Sequence, residues 1–147
     1  MNTVNVSKQR EIVMQTTTVS AKTPRYVLMD EFHRIGPNVM PSHMGVECSS
    51  IYGFSDKVPY DEFCANSGLE LRPYPLVARY LQNQIDALDD VLKLVVIDAT
   101  GPSEPRLCAA TMEVLLEALE NRAAHVTAGY QLVFDQEADA YRVEEVA

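Results

Sequence analysis

Residues 92–107 read LKLVVIDATGPSEPRL, and the reading of this stretch decides the fold. Leu94, Val95, Val96 and Ile97 are consecutive. Side chains alternate across a strand, so four apolar residues in a row make both faces apolar. The pattern predicts a central strand over 93–98, covered on both sides or lying at a subunit interface. Asp98 ends the run and Gly101 turns the chain. Cys108, Met112, Leu115, Leu116 and Leu119 then recur at helical spacing, with Glu113, Glu117 and Glu120 on the opposite face. That spacing predicts a helix over 104–122.

A strand, a turn and a helix can together hold a phosphate through free backbone N–H groups at the helix start. Here Pro102 and Pro105 each remove a donor, and Glu104 adds negative charge where an anion would sit. A single glycine matches neither GxGxxG nor the P-loop. The turn is therefore read as structural, with Thr100 or Ser103 capping the helix. Asp98 is kept as a ligand-binding candidate, because clefts in α/β sheets open at strand C-termini.

Upstream, PLVARYLQNQIDALDDV (75–91) carries Val77, Leu81, Ile85, Leu88 and Leu92 at three- and four-residue steps, which predicts a second long helix. Asp89 and Asp90 would mark its exit into solvent, since the negative end of the helix dipole disfavours them. Downstream, Val126, Ala128, Tyr130, Leu132 and Phe134 alternate with polar neighbours, DQEAD supplies turn residues, and Tyr141 and Val143 share a face. This predicts a C-terminal hairpin over 126–147 with one solvated face.

The N-terminal half is harder to read. Residues 1–10 are polar and predict a flexible tail, with one domain over 11–147; EIVMQTTTV (11–19) reads as a strand. In TPRYVLMDEFHRIG (23–36), YVLM would suit a strand. Thr23 and Pro24 at the start and His33, Arg34 and Gly36 at the end favour a helix. Residues 36–58 are too long for a bare loop in a compact domain, so they either hide a strand in GVECSSIYGF (45–54) or form a functional loop. PYDEFCANSG (59–68) predicts a short helix. The expected fold is α+β: a mixed sheet of four or five strands, with the two main helices packed on one face and the hairpin at the C-terminus. If the other face stays apolar, a homodimer would cover it.

The chain has 147 residues, which suits one domain, and a net charge of −9. Twelve Lys and Arg against 21 acids, with no basic cluster in sequence, disfavour nucleic acid as a partner, whose binding draws on cations. The same charge disfavours anionic membranes. Cys48, Cys64 and Cys108 are odd in number and widely spaced, which fits a reducing compartment. With no signal-peptide core in the first 20 residues, a cytoplasmic location is expected.

The chemistry-bearing residues are few. Soft donors gather in MDEFHRIGPNVMPSHMGVEC (29–48), but His33 and His43 lack the spacing of a metal pair, so no metal and no cofactor is expected. On a helix Asp30 and His33 would share a face and offer an orienting carboxylate for a proton acceptor. Asp30, His33 and His43 are thus the catalytic candidates of a small acid–base enzyme. His125 follows the long helix and would cap its C-terminus as a cation. Tyr52 and Tyr60 join Asp98 as ligand-binding candidates, because a phenol ring offers apolar area with a hydrogen-bonding tip. With no convergent catalytic motif, the favoured expectation is a non-catalytic binding module that recognises a small ligand or a protein partner through the 36–60 segment.

Overall fold

A computed structural model of the chain describes residues 19–42 and 44–146. The strand expected over 11–19 therefore lies outside the described residues except at Val19, as does the tail expected over 1–10. The protein is a mixed α+β structure around one large sheet. In chain order its strands are β1 (Ser20–Lys22), β2 (Tyr26–Val27), β3 (Met29–Asp30), β4 (His33–Arg34), β5 (Cys48–Phe54), β6 (Tyr74–Pro75), β7 (Leu92–Ile97), β8 (Arg106–Thr111), β9 (His125–Thr127), β10 (Tyr130–Asp135) and β11 (Ala140–Glu145). The helices are α1 (Lys57–Ser67), α2 (Ala78–Asp86) and α3 (Met112–Glu120).

The main sheet has seven strands in the order β11-β10-β8-β7-β5-β2-β6, more than the four or five expected. Two-residue strands such as β2 and β6 leave almost no period-2 signal, which is why the sequence undercounts them. β7 is central as predicted: it pairs parallel with β5 and antiparallel with β8. Leu94 and Val96 face one side with Tyr52, Phe54, Phe63, Leu107 and Leu132. Val95 faces the other with Val27, Ile51, Leu81, Met112 and Leu115. Each such side chain contributes about 1.5–3 kcal/mol on burial.

The connection from β5 to β7 supplies a cover for each face. α1 packs Tyr60, Phe63 and Cys64 on the first face. The chain then rounds the edge through β6, and α2 lays Leu81 on the second face beside α3. The two main helices thus share a face, as expected. The opposite face is covered by α1, so the apolar surface that motivated a homodimer is filled by the chain itself.

Three expectations are corrected. The segment 23–36 is not a helix: Tyr26 and Val27 pair with both β5 and β6, and β3 and β4 form a tight hairpin that turns at Glu31 and Phe32. The Arg34 guanidinium lies 3.6 Å from the Tyr80 ring centre and 5.7 Å from that of Tyr74, fastening this hairpin to α2 and β6. Such stacking, and pairing on both sides of β2, outweigh favourable helix ends. Residues 106–111 are also strand, because β8 is paired by β7 and β10 at once. The helix starts later, at Met112, where Thr111 caps it by accepting from Val114 N at 3.2 Å. Neither Thr100 nor Ser103 is a cap. Finally, α2 stops at Asp86, and Leu88 leaves the apolar face to stand fully exposed. The buried Lys93 ammonium reaches Gln84 O at 2.7 Å and Asp89 Oδ2 at 3.0 Å, so the acid past the helix end is paired.

The segment 36–58 does hide a strand, β5, preceded by an arm that crosses the concave face. Ile35 accepts from Tyr52 N at 2.9 Å, Pro37 accepts from Ser50 Oγ at 3.0 Å, and Asn38 accepts from Tyr141 N at 2.9 Å. Pro37 and Asn38 are neighbours, with Cα atoms about 3.8 Å apart. In a flat sheet β5 and β11 would be four strand spacings apart, about 19 Å. One dipeptide touching both means that the sheet curls around Tyr52, Phe63 and Tyr141. Burial pushes the Tyr52 phenol up to about 12, and Tyr141 and Glu104 across the curl add to that rise.

Gly36 lets the arm lie directly on β5, since a Cβ there would fall 1.9 Å from Ser50 O, a backbone atom with no room to yield. Gly36→Ala is expected to destabilise the protein by about 3 kcal/mol or more. Gly129→Ala, where a Cβ meets nothing within 4 Å, should stay within about 0.5 kcal/mol of the parent. Urea denaturation of the two variants checks this; equal midpoints would mean that the arm does not close the curl.

Candidate functional site

A concavity opens where the parallel strands β5 and β7 end. Ser55 follows β5, and Asp98 follows β7. The Asp98 carboxylate accepts from Ser55 N at 2.8 Å through Oδ1 and from Ser55 Oγ at 2.7 Å through Oδ2. Asp98 N donates to Gly53 O at 2.9 Å, which extends the pairing past the strand ends. Asp98 adopts φ 53°, left-handed backbone that an L-residue holds at some cost. Its short polar side chain makes it one of the residue types that tolerate that conformation.

The space around this pair measures about 580 Å³ and is walled by Lys22 of β1, Ser55, Asp56, Asp98, Glu104 and Cys108. A second concavity of about 660 Å³ adjoins it; Lys22, Ser55 and Asp56 line both. Its outer wall holds Arg25, Arg122 and His125. Asp56 begins α1 and accepts from Lys57 N at 2.8 Å. The loop after Asp98 is held on both sides: Asn66 Nδ2 donates to Thr100 O, and Tyr141 Oη donates to Glu104 O, each at 2.6 Å. Glu104 Oε1 in turn accepts from Thr100 N and Oγ1. Gly101 belongs to this loop and precedes a strand, so no helix start exists there to grip a phosphate.

The thiols are poorly placed to act as nucleophiles. Burial pushes the Cys108 thiol above its ordinary range, and Asp98 and Glu104 push it the same way. The thiols of Cys48 and Cys64 are also raised by burial. A thiol held protonated is a poor nucleophile. Among the described residues, no three His, Cys, Asp or Glu side chains are grouped so as to hold a metal ion, and no helix is long and apolar enough to cross a membrane.

Of the candidates from sequence, Asp98 lies in the concavity. Tyr52 is 5% exposed and Tyr60 is 1% exposed. Both belong to the aromatic core, with Tyr52 and Phe63 ring centres 4.5 Å apart and those of Phe54 and Tyr60 5.2 Å apart. Burial raises the Tyr60 phenol, with the Cys64 thiol beside it. Asp30 and His33 face each other across the β3–β4 hairpin rather than along a helix; both are exposed, and neither lines the concavity. His43 lies outside the described residues. His125 is not a helix cap; it sits in β9, directly opposite Lys22 of β1. Lys22, Arg25 and Arg122 come from segments with no shared motif, and nothing in the linear sequence groups them.

No protein-family model matches the chain, and no curated protein or solved structure matches it either.

The Asp98–Ser55 pair joins the two strand ends through two hydrogen bonds to a carboxylate. Asp98→Asn keeps the backbone preference and one acceptor, and should cost about 1 kcal/mol. Asp98→Ala loses both bonds and forces alanine into left-handed backbone, and should cost about 2–4 kcal/mol. Chemical denaturation of both variants measures the difference; equal losses would mean that the carboxylate does not hold the strand ends together.

Proposed function

We propose that the protein is a non-catalytic binding module that takes a small ligand in the paired concavity at the C-terminal ends of β5 and β7. The observation that carries this reading is the convergence of polar groups at the one parallel strand pair of the described sheet. Ser55, Asp98, Lys22 and Glu104 come from four segments and meet in a single space large enough for a small molecule. Ligands of open α/β sheets bind outside the carboxyl ends of parallel strands, where neighbouring connections diverge. Here the chain leaves β5 toward α1 on one face and leaves β7 through a loop toward β8, and the space lies between those exits.

Part of the 36–60 segment contributes directly. Ser55, Asp56, Val58 and Pro59 wall the concavity, whereas residues 36–40 serve the curl instead. The raised Cys108 thiol supports binding over nucleophilic catalysis. The placement of Asp30 and His33 on an exposed hairpin outside this space supports binding over acid–base chemistry. A cytoplasmic location and self-association are separate proposals.

Screening a library of small polar fragments by amide chemical-shift perturbation tests the reading. Binders are expected to shift Ala21, Ser55, Asp98 and Cys108, and His33→Ala should leave those shifts intact. Fragments that gather instead on residues 29–34, or turnover that His33→Ala abolishes while the fold survives, would overturn it.

A further inference from the structure

The outer half of the concavity is basic in a chain whose net charge is −9. Lys22, Arg25, Arg122 and His125 all line it, and Asp56 is the one acid beside them. Asp56 Oδ1 is engaged by Lys57 N. Among the described residues, the ion pairs involve Lys93 and Arg142, and none of the basic side chains of this wall takes part.

Two features show that this grouping is held in place against local preference. Lys22 and His125 are direct cross-strand partners in the β1–β9 ribbon. Two basic side chains placed opposite each other do not stabilise a strand pair, and they repel when both are charged. The second feature is Arg122. At the end of α3, Ala123 N donates to Ala118 O at 2.9 Å and Arg122 N donates to Leu119 O at 3.2 Å. Those bonds form a Schellman ending, whose left-handed position is usually glycine. Arg122 occupies it with φ 53°. Thr23 fixes the same turn, with Oγ1 donating to Ala123 O at 2.7 Å and N donating to Ala124 O at 3.0 Å. An arginine kept where glycine is preferred is a local strain at a concave surface, and such strain gathers at binding sites.

We infer that this wall grips an anionic group, a carboxylate or a phosphate, on the small ligand. The inference rests on the binding reading above and adds the charge of the ligand and its orientation. The negative group enters at the end formed by Lys22, Arg25, Arg122 and His125. The remainder of the ligand extends toward Ser55 and Asp98, where Asp98 and Glu104 make the wall acidic and favour hydrogen-bond donors. Guanidinium groups suit this task because their planar donor pairs match the oxygens of both anions.

Titration of the full chain with succinate, with inorganic phosphate and with succinamide, the neutral isostere of succinate, tests it by amide shifts. Succinate or phosphate is expected to shift Lys22, Ala123 and His125, and succinamide is not. Apparent affinity should fall severalfold as salt rises from about 50 to about 300 mM, as screening requires. Lys22→Gln and Arg122→Gly should each weaken anion binding by about tenfold. Arg122→Gly should also melt at the parental temperature or above, because glycine relieves the strained turn. That result separates lost binding from lost folding. Equal binding of succinamide and succinate, indifference to salt, or undiminished binding by both variants would overturn the anionic assignment. If neither anion shifts these amides while neutral fragments still map to Ser55 and Asp98, the anionic assignment fails and the binding reading stands. If fragments miss the concavity too, both fail.

Discussion

Val95 and Val96 point in opposite directions and both are completely buried. A strand with that property cannot stand at the surface of a two-layer structure; it requires a cover on each side. The chain meets this requirement with the connection from β5 to β7, completed on the second face by α3 through Met112, Leu115 and Leu116. Leaving β5, it places α1 on one face, rounds the sheet edge, and places α2 on the other before entering β7 in parallel. Because parallel strands need a long crossover, the helices and the strand pairing are one solution to one problem. The concavity is a by-product of the same geometry, since both strands end on the same side.

Much of this was legible from residues 92–97 alone, because four successive apolar side chains have few interpretations. The hairpin β10–β11 was legible for a similar reason: alternation on both sides of DQEAD, where Asp135 Oδ1 accepts from Glu137 N and Ala138 N in the turn; its first strand starts at Tyr130 rather than at Val126, which sits in β9 and pairs with Ala21 of β1. What failed to show was pairing that depends on distant partners. RLCAAT carries a helical stripe when read with the residues after it, yet β7 and β10 claim it as strand. Residues 23–36 have good helix termini, yet Tyr26 and Val27 complete a sheet edge between β5 and β6. Local propensities are weak beside such two-sided pairing. The candidate site was legible at Asp98, the residue that ends the readable strand, and coarsely in the 36–60 segment, which supplies Ser55 and Asp56. Its basic wall is drawn from β1, the loop before β2, the end of α3 and β9, so no window of sequence contains it.

The curl sets a different constraint from the covers. Curling shortens the distance between β5 and β11 until one arm can touch both, and Gly36 permits the approach. It also brings Tyr141 to Glu104, so the loop that follows Asp98 is pinned by the far side of the sheet. Closure of the curl and the shape of the concavity are therefore linked through that loop, since Tyr141 meets the arm through its backbone and Glu104 through its hydroxyl.

The two borders of the curled sheet share a property that bears on how the chain behaves in a crowded solution. At one border β6 is only two residues long and ends in Pro75, which has no N–H to offer an incoming strand. At the other, the backbone of Tyr141 is already engaged by Asn38 and Met40, and Arg142, Glu144 and Glu145 stud the rest of β11 with charge. A sheet with hydrogen-bonding groups free along a flat, greasy margin recruits further strands and grows into aggregates. Here both margins, among the described residues, carry features that oppose such growth in a chain that is 47% hydrophobic.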